Sequence, residues 1–208
     1  HGEVYGTPSV EPYHVLPVTI GSAKYWLYAS LTKIYAVTVT GGNAVHTNLT
    51  RQTAGNDVNY AATANSWTST VLGGIPIMNP GNAVDPPQQW DLNIANNFVA
   101  YCKSMRSFRS FLVALNITKT STNYPYMVKW SHPAVPGSVP ASWDHTDPTV
   151  DAGEFDLAEG YDQIIDGLAL RDSLMIYKEH SVWRLDFAGG AQVMRVQKVM
   201  GMSGAMNR

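Results

Sequence analysis

Short runs of aromatic and β-branched residues, cut every few positions by Gly, Pro, Asn or Asp, govern what this chain can become. Residues 24–30 (KYWLYAS) and 33–40 (KIYAVTVT) are two such runs with Leu31-Thr32 between them, and the pair reads as a hairpin. Residues 67–72, a Gly73-Gly74 turn and residues 75–78 read as a second hairpin, stopped by Asn79-Pro80-Gly81. Residues 104–108 and 111–116 flank a short Arg109-Ser110 connection, and residues 126–131 (YMVKWS) resume the pattern. Residues 164–170, 174–178 and 181–187 form another succession, closed by Gly189-Gly190, and residues 192–200 supply one more strand. The one helix-like stretch is 93–100, and no segment sustains a 3.6-residue period.

One unit recurs: a strand, a tight turn, an apolar strand such as FLVAL or SLMIY, then a strand carrying an aromatic residue. Ile34-Tyr35-Ala36-Val37, Val128-Lys129-Trp130 and Val182-Trp183-Arg184-Leu185 occupy that last place. Repeats at intervals of roughly 40–60 residues predict an all-β fold, a β-propeller-like array of antiparallel blades. Stacking such sheets radially covers both faces of each. A β-sandwich is the alternative arrangement. About four blades' worth of chain does not obviously close a ring, so the array is expected to be incomplete. His1 at the start and Met206-Asn207-Arg208 at the end mark the chain as an expected piece of a longer or processed protein.

Composition agrees with sheets. Only 14% of the 208 residues are charged, against about a quarter in ordinary globular chains. Neutral polar side chains replace them, which suits exposed strand positions better than exposed helical faces. The chain is 45% hydrophobic, enough for a core in one domain or two small ones. Residues 1–23 read as an extended N-terminal segment, and 24–208 as the propeller-like domain. A long loop interrupts that domain at about 131–153, rich in proline (Pro133, Pro136, Pro140, Pro148) and pinned by Trp143. With 14 basic and 16 acidic residues, a net charge of −2 and no basic block, the bulk footprint of a nucleic-acid binder is missing. The single cysteine, Cys102, rules out an internal disulfide and a multi-cysteine zinc site. No apolar run reaches membrane-spanning length, so no membrane insertion is expected.

Three stretches after Cys102, KSMRSFRSFLVALNIT, VKWSHPAVPGSVPASWDHTDPTVDAGEFDLAE and IIDGLALRDSLMIYKEHSVWRLDFAGG, together resemble phage and prophage virion proteins built around a β-propeller. Upstream, WTSTVLGGIPIMNPGNAVDPPQQWD is similar to the same family's pattern of a strand followed by a Pro-Gln-x-Trp corner. The resemblance covers roughly residues 24 to 205. It implies a tail nozzle or hub protein of a short-tailed phage, assembled in the host cytoplasm and located in the virion tail. In that family several copies form a ring below the portal and adaptor, next to fibres or a needle, and DNA leaves through the channel. A protein of this kind is expected to be no enzyme and to need no cofactor or metal.

Several polar groups invite other chemistry. His132, Asp144, His145, Asp147 and Asp151 can be read as a metal or acid–base cluster, with Trp143 as a neighbouring loop binding residue. The calcium-loop glycine and closing glutamate are absent, and Asp beside Pro148 more simply makes turn hydrogen bonds. Asp156, Glu159, Asp162, Asp166 and Asp172 invite a paired-carboxylate glycosidase reading, although the repeated Asp box of sialidase propellers is missing. Lys103, Arg106 and Arg109 cluster around one hairpin and are candidate contacts to DNA phosphates in a channel, or to partner proteins. The alternative function is therefore a glycan-binding or glycoside-hydrolysing propeller that acts on the host surface through the 131–153 loop. Of the six tryptophans, Trp90 and Trp143 lie in loops and are the better candidates for a surface role; the others sit in apolar strands.

Overall fold

The computed structural model describes residues 10–90, 101–190, 192–201 and 204–205, and these form strands and turns without a helix. The helix-like stretch 93–100 lies outside the described residues. The first sheet contains β1 (His14–Ile20), β2 (Ala23–Ala29), β3 (Ile34–Thr40) and β4 (Asn43–Asn48). A short pair, β5 (Gln52–Thr53) and β6 (Asn56–Asp57), follows it. The second sheet has three described strands, β7 (Thr68–Leu72), β8 (Ile75–Asn79) and β9 (Gln88–Gln89). The third contains β10 (Tyr101–Phe108), β11 (Phe111–Lys119), β12 (Thr122–Trp130) and β13 (Gly153–Asp156). The fourth contains β14 (Ile164–Leu170), β15 (Ser173–Lys178), β16 (Ser181–Phe187) and β17 (Met194–Gly201). Every one of these sheets is an antiparallel meander with its strands in chain order.

The hairpins read from the sequence are present: β2 pairs with β3, β7 with β8, β10 with β11, β14 with β15, and β15 with β16. The first sheet begins earlier than the sequence reading had it. Residues 14–20, assigned there to an extended N-terminal segment, pair along their whole length with β2, Pro17 opposite Trp26. Proline masks a strand in sequence because it cannot donate to a ladder, yet an edge strand accepts it, and β1 is an edge.

Three hydrophobic cores lie between the four sheets. Leu27, Ala29, Ile34 and Ala36 of the first sheet meet Trp67 and Met78 around the second. Leu72 and Ile77 of the second meet Met105, Leu112, Ala114 and Ile117 of the third. Phe111, Val113, Leu115 and Val128 of the third meet Leu174, Ile176, Trp183 and Leu185 of the fourth. Strand β11 serves two cores at once. Phe111, Val113 and Leu115 point to one, Leu112 and Ala114 to the other, as a period of two demands. Its register then shifts between Leu115 and Ile117, where Asn116 takes φ 55°. The bulge keeps Ile117 in the same core as Ala114, which strict alternation would have denied it.

The sheets also meet in sequence through their first strands. β1 packs on β7, β7 on β10, and β10 on β14. No packing of comparable extent joins the fourth sheet back to the first among the described residues.

Core burial makes a clear prediction. Leu115 is fully buried, so Leu115→Ala should lower stability by about 2–5 kcal/mol in urea unfolding. The exposed Val84 is the control, and Val84→Ala should stay within about 0.5 kcal/mol of the parent.

Candidate functional site

The loop between β12 and β13 is fastened along its length. His132 N–H donates to Ser142 O at 2.8 Å, Ala134 N–H to Ser110 O at 2.7 Å, and Gly137 N–H to Gly73 O at 3.3 Å. Trp130 Nε1 donates to Asp151 O at 2.8 Å, and Asp151 N–H donates to His132 Nδ1 at 3.0 Å. The loop re-enters the sheet at Gly153, where a Cβ would stand 2.1 Å from the Trp130 ring. Only glycine lets the backbone pass there.

Trp143 pins the loop, as the sequence reading expected, and this leaves it no role as an exposed binding residue, the other part it was offered for. Its side chain is buried among Leu72, Ile77, Cys102 and Met105. The loop folds back over the second and third sheets, and the indole is the large apolar group it has to offer. The exposed tryptophan is Trp26 on β2, 43% accessible, while Trp90 packs against Tyr25 with ring centroids 5.0 Å apart.

Asp144 and Asp147 each cap their own turn. Asp144 Oδ1 accepts from Thr146 N at 2.9 Å and Thr146 Oγ1 at 2.6 Å. Asp147 Oδ1 accepts from Thr149 N at 2.8 Å and Thr149 Oγ1 at 2.7 Å. These threonine hydroxyls, with the backbone N–H groups, hold both carboxyls below the ordinary aspartate value. Among the described residues no group of three or more His, Cys, Asp or Glu is placed to hold a metal ion.

His145 joins a different set. Its Nδ1 lies 3.1 Å from Lys129 Nζ and its Nε2 3.5 Å from Glu154 Oε1. Glu154 accepts from Lys119 Nζ at 2.7 Å and from the buried Lys129 Nζ at 3.0 Å. Burial alone would raise the Glu154 pKa, but the two lysines outweigh it and the net shift is downward. Beside this network, Trp130, Phe155, His145, Asp147, Asp151 and Val193 line an open hollow of about 500 Å³.

The three basic residues of the β10–β11 hairpin do three separate things. Arg106 is an inter-sheet clamp: its Nη2 lies 2.6 Å from Asp166 Oδ2, its Nε donates to Gly167 O at 2.8 Å, and its Nη1 to Ser69 O at 3.0 Å. Ser104 Oγ donates to the other oxygen of Asp166. One guanidinium thus ties the first strands of three successive sheets together, and as a DNA contact it is already occupied. Arg109, at φ 54° in the turn, lies 3.7 Å from the exposed Asp172 and over the Phe187 ring. Lys103 lines a polar hollow of about 470 Å³ with Asn116, Thr118, Asn123 and Gln163.

The acids suggested for sugar hydrolysis are likewise dispersed. Asp166 serves Arg106, and Glu159 pairs with Lys198 at 2.8 Å. Asp162 is buried against Lys178 at 2.9 Å and accepts from His180 N and Ser181 Oγ. Burial pushes its pKa up, and Lys178 and the His180 N–H more than reverse that. Lys178, at the end of the strand run 174–178 read from the sequence, is fully buried and also donates to Leu157 O at 2.6 Å and Glu159 O at 3.0 Å. The sequence signal for it was slight: a lysine closing an apolar strand.

No known family's sequence model matches the chain, and no curated protein sequence aligns with it significantly.

Two predictions follow from these contacts. Arg106→Ala should destabilise by about 2–3 kcal/mol, less than a fully buried pair because both partners keep some solvent access. Arg106→Lys should fall between, since a lysine cannot bridge bidentately. An unchanged melting temperature in both variants would return Arg106 to the solvent. For Glu154, the folded pKa lies below the ordinary value of 4.5, so its contribution is present above that value and lost as pH falls through the folded one. Urea midpoints measured from pH 7 downward should show that loss, and Glu154→Gln should flatten this part of the profile while lowering stability at pH 7.

Proposed function

We propose that this chain is a structural subunit of a short-tailed bacteriophage virion, a tail nozzle or hub component whose sheets are blades of a β-propeller. One observation carries the reading of the fold: successive meanders touch through their first strands, β1 to β7 to β10 to β14, with a hydrophobic core between each neighbouring pair. Blades arranged around an axis have this relation, with the first strand innermost. The assignment to a phage tail rests on the sequence resemblance described above.

The proposed work is mechanical rather than catalytic. Rigid blades hold turns and the 131–152 loop at fixed positions, where they meet other copies of the chain and neighbouring tail proteins such as adaptor, portal, fibres or needle. The assembled ring shapes a conduit for DNA. A conduit must let the genome slide, and free cations would bind phosphates one by one. Arg106 is neutralised by Asp166, Arg109 lies beside Asp172, and the chain carries a net charge of −2. These features support a lining of low adhesion.

The glycan-binding reading has one feature in its favour: the hollow beside the loop combines the aromatic rings of Trp130 and Phe155 with His145, Asp147 and Asp151. Two measurements separate the readings. Antibody raised against this chain, applied with gold to virions from a host carrying the gene, should label the tail; absence of the protein from purified virions would sink the structural reading. A glycan array probed with the protein and with an Asp144→Ala, His145→Ala, Asp147→Ala variant should give no difference. Binding or cleavage lost in a still-folded variant would favour the rival.

A further inference from the structure

The polar hollow of about 470 Å³ opens at one end of the third sheet, where β10 begins, β11 ends and β12 begins. The 131–153 loop leaves from the other end of the same sheet, after Trp130. The size suits a small molecule, for which sites of about 300–1,000 Å³ are usual. Among the described lining residues no carboxylate and no aromatic ring occurs, and Lys103 is the one charge. The rest of the polar lining consists of neutral amides and hydroxyls.

Hydrogen bonds within the protein decide which atoms this lining has to offer. Ile164 O can only accept, so the Asn116 side chain turns its nitrogen to it, at 3.0 Å. Asn116 Oδ1 then takes the nitrogen of Asn123 at 2.9 Å, and Asn123 is left with its oxygen. Gln163 repeats the logic: its Nε2 donates to the Glu179 carboxylate at 2.7 Å, and its Oε1 is left over. Among the described residues neither Asn123 Oδ1 nor Gln163 Oε1 accepts a hydrogen bond, and the exposed Asn65 carboxamide makes none. The wall beside them is fixed. Gly81, at φ 68°, runs so close that a Cβ there would collide with Ser66 O and press on Lys103 O. Groups already held in place lose little freedom when a ligand arrives.

Neutral carbonyl acceptors select a ligand by its chemistry. A phosphodiester or sulfate brings only acceptors and finds no partner in an amide oxygen. A hard metal ion favours carboxylates, and a nucleobase favours a ring on which to stack. A ligand covered with hydroxyl groups satisfies the lining, because each hydroxyl both donates and accepts. We propose that this hollow binds a saccharide, with ring hydroxyls donating to Asn123 Oδ1 and Gln163 Oε1 and exchanging hydrogen bonds with Asn65. The site is separate from the hollow beside the 131–153 loop, and it does not depend on the tail assignment.

Two-dimensional NMR of the isotope-labelled full chain tests the proposal, with glucose, galactose, mannose, rhamnose and N-acetylglucosamine each titrated to high millimolar concentration. At least one sugar should shift the side-chain amide signals of Asn65, Asn123 and Gln163 in a saturable way. Combining Asn65→Ala with Gln163→Ala should weaken that sugar by about tenfold or more. Ala83→Trp fills the hollow from an exposed position and should abolish the shifts. Asp147→Ala, in the other hollow, should leave them unchanged. A dispersed spectrum shows that each variant is folded. No saturable shift with any of these sugars would overturn the proposal, as would shifts that survive Ala83→Trp or the paired alanine variant. So would shifts caused by inorganic phosphate and by no sugar, which would make the hollow an anion site.

Discussion

Val113 and Ala114 are neighbours in the chain, yet their side chains belong to different cores. A strand with both sides apolar has no stable place at a water boundary, and it forces a sheet on either side of it. Strand β11 imposes this on the third sheet, and β8 does the same for the second, with Ile77 turned one way and Met78 the other. The order of four sheets follows from these two strands. Full burial of such side chains is worth about 1.5–3 kcal/mol each, so no single polar contact in the molecule competes with the stacking.

Stacking alone sets neither the angle between sheets nor their lateral position. Polar contacts between first strands do that. His14 Nε2 lies 2.8 Å from Ser69 Oγ, Thr70 Oγ1 donates to Ser107 Oγ at 2.7 Å, and Arg106 bonds Asp166, Gly167 and Ser69. Every junction between consecutive sheets carries at least one. First strands are edges, so their side chains reach the neighbouring sheet where apolar packing thins out. Directional bonds placed there convert a non-directional apolar stack into one arrangement.

Much of this was legible in the sequence where the cause was local. Gly73-Gly74 and the aromatic runs gave hairpins, and Asp144-x-Thr146 and Asp147-x-Thr149 gave turns, because each signal lies within a few residues. What escaped depends on distant partners. Strand β13 is four residues long and pairs with β12 across the long loop, and no propensity in GEFD announces it. Arg106 meets Asp166 sixty positions away, so in sequence it stands among basic neighbours and looks like a phosphate contact. Trp143 was legible as the residue that pins the loop, but the space it fills is built by other sheets and was not. Strand β1 was hidden by Pro17 for the reason that makes it an edge.

The low charge content takes on a different meaning once these partners are known. The sequence suggested neutral polar exteriors. In the fold, several of the few charges serve inside: Arg106 with Asp166, Lys178 with Asp162, and Lys129 with Glu154 all join elements distant in the chain. Removing one member of such a pair strands the other in a poorly solvated site, so these pairs fix geometry more than they add net stability. Each cation held in such a joint is one fewer with which to grip a passing polyanion. In the proposed role, the joint that holds the second, third and fourth sheets together also neutralises Arg106, which would otherwise offer a cation to the genome.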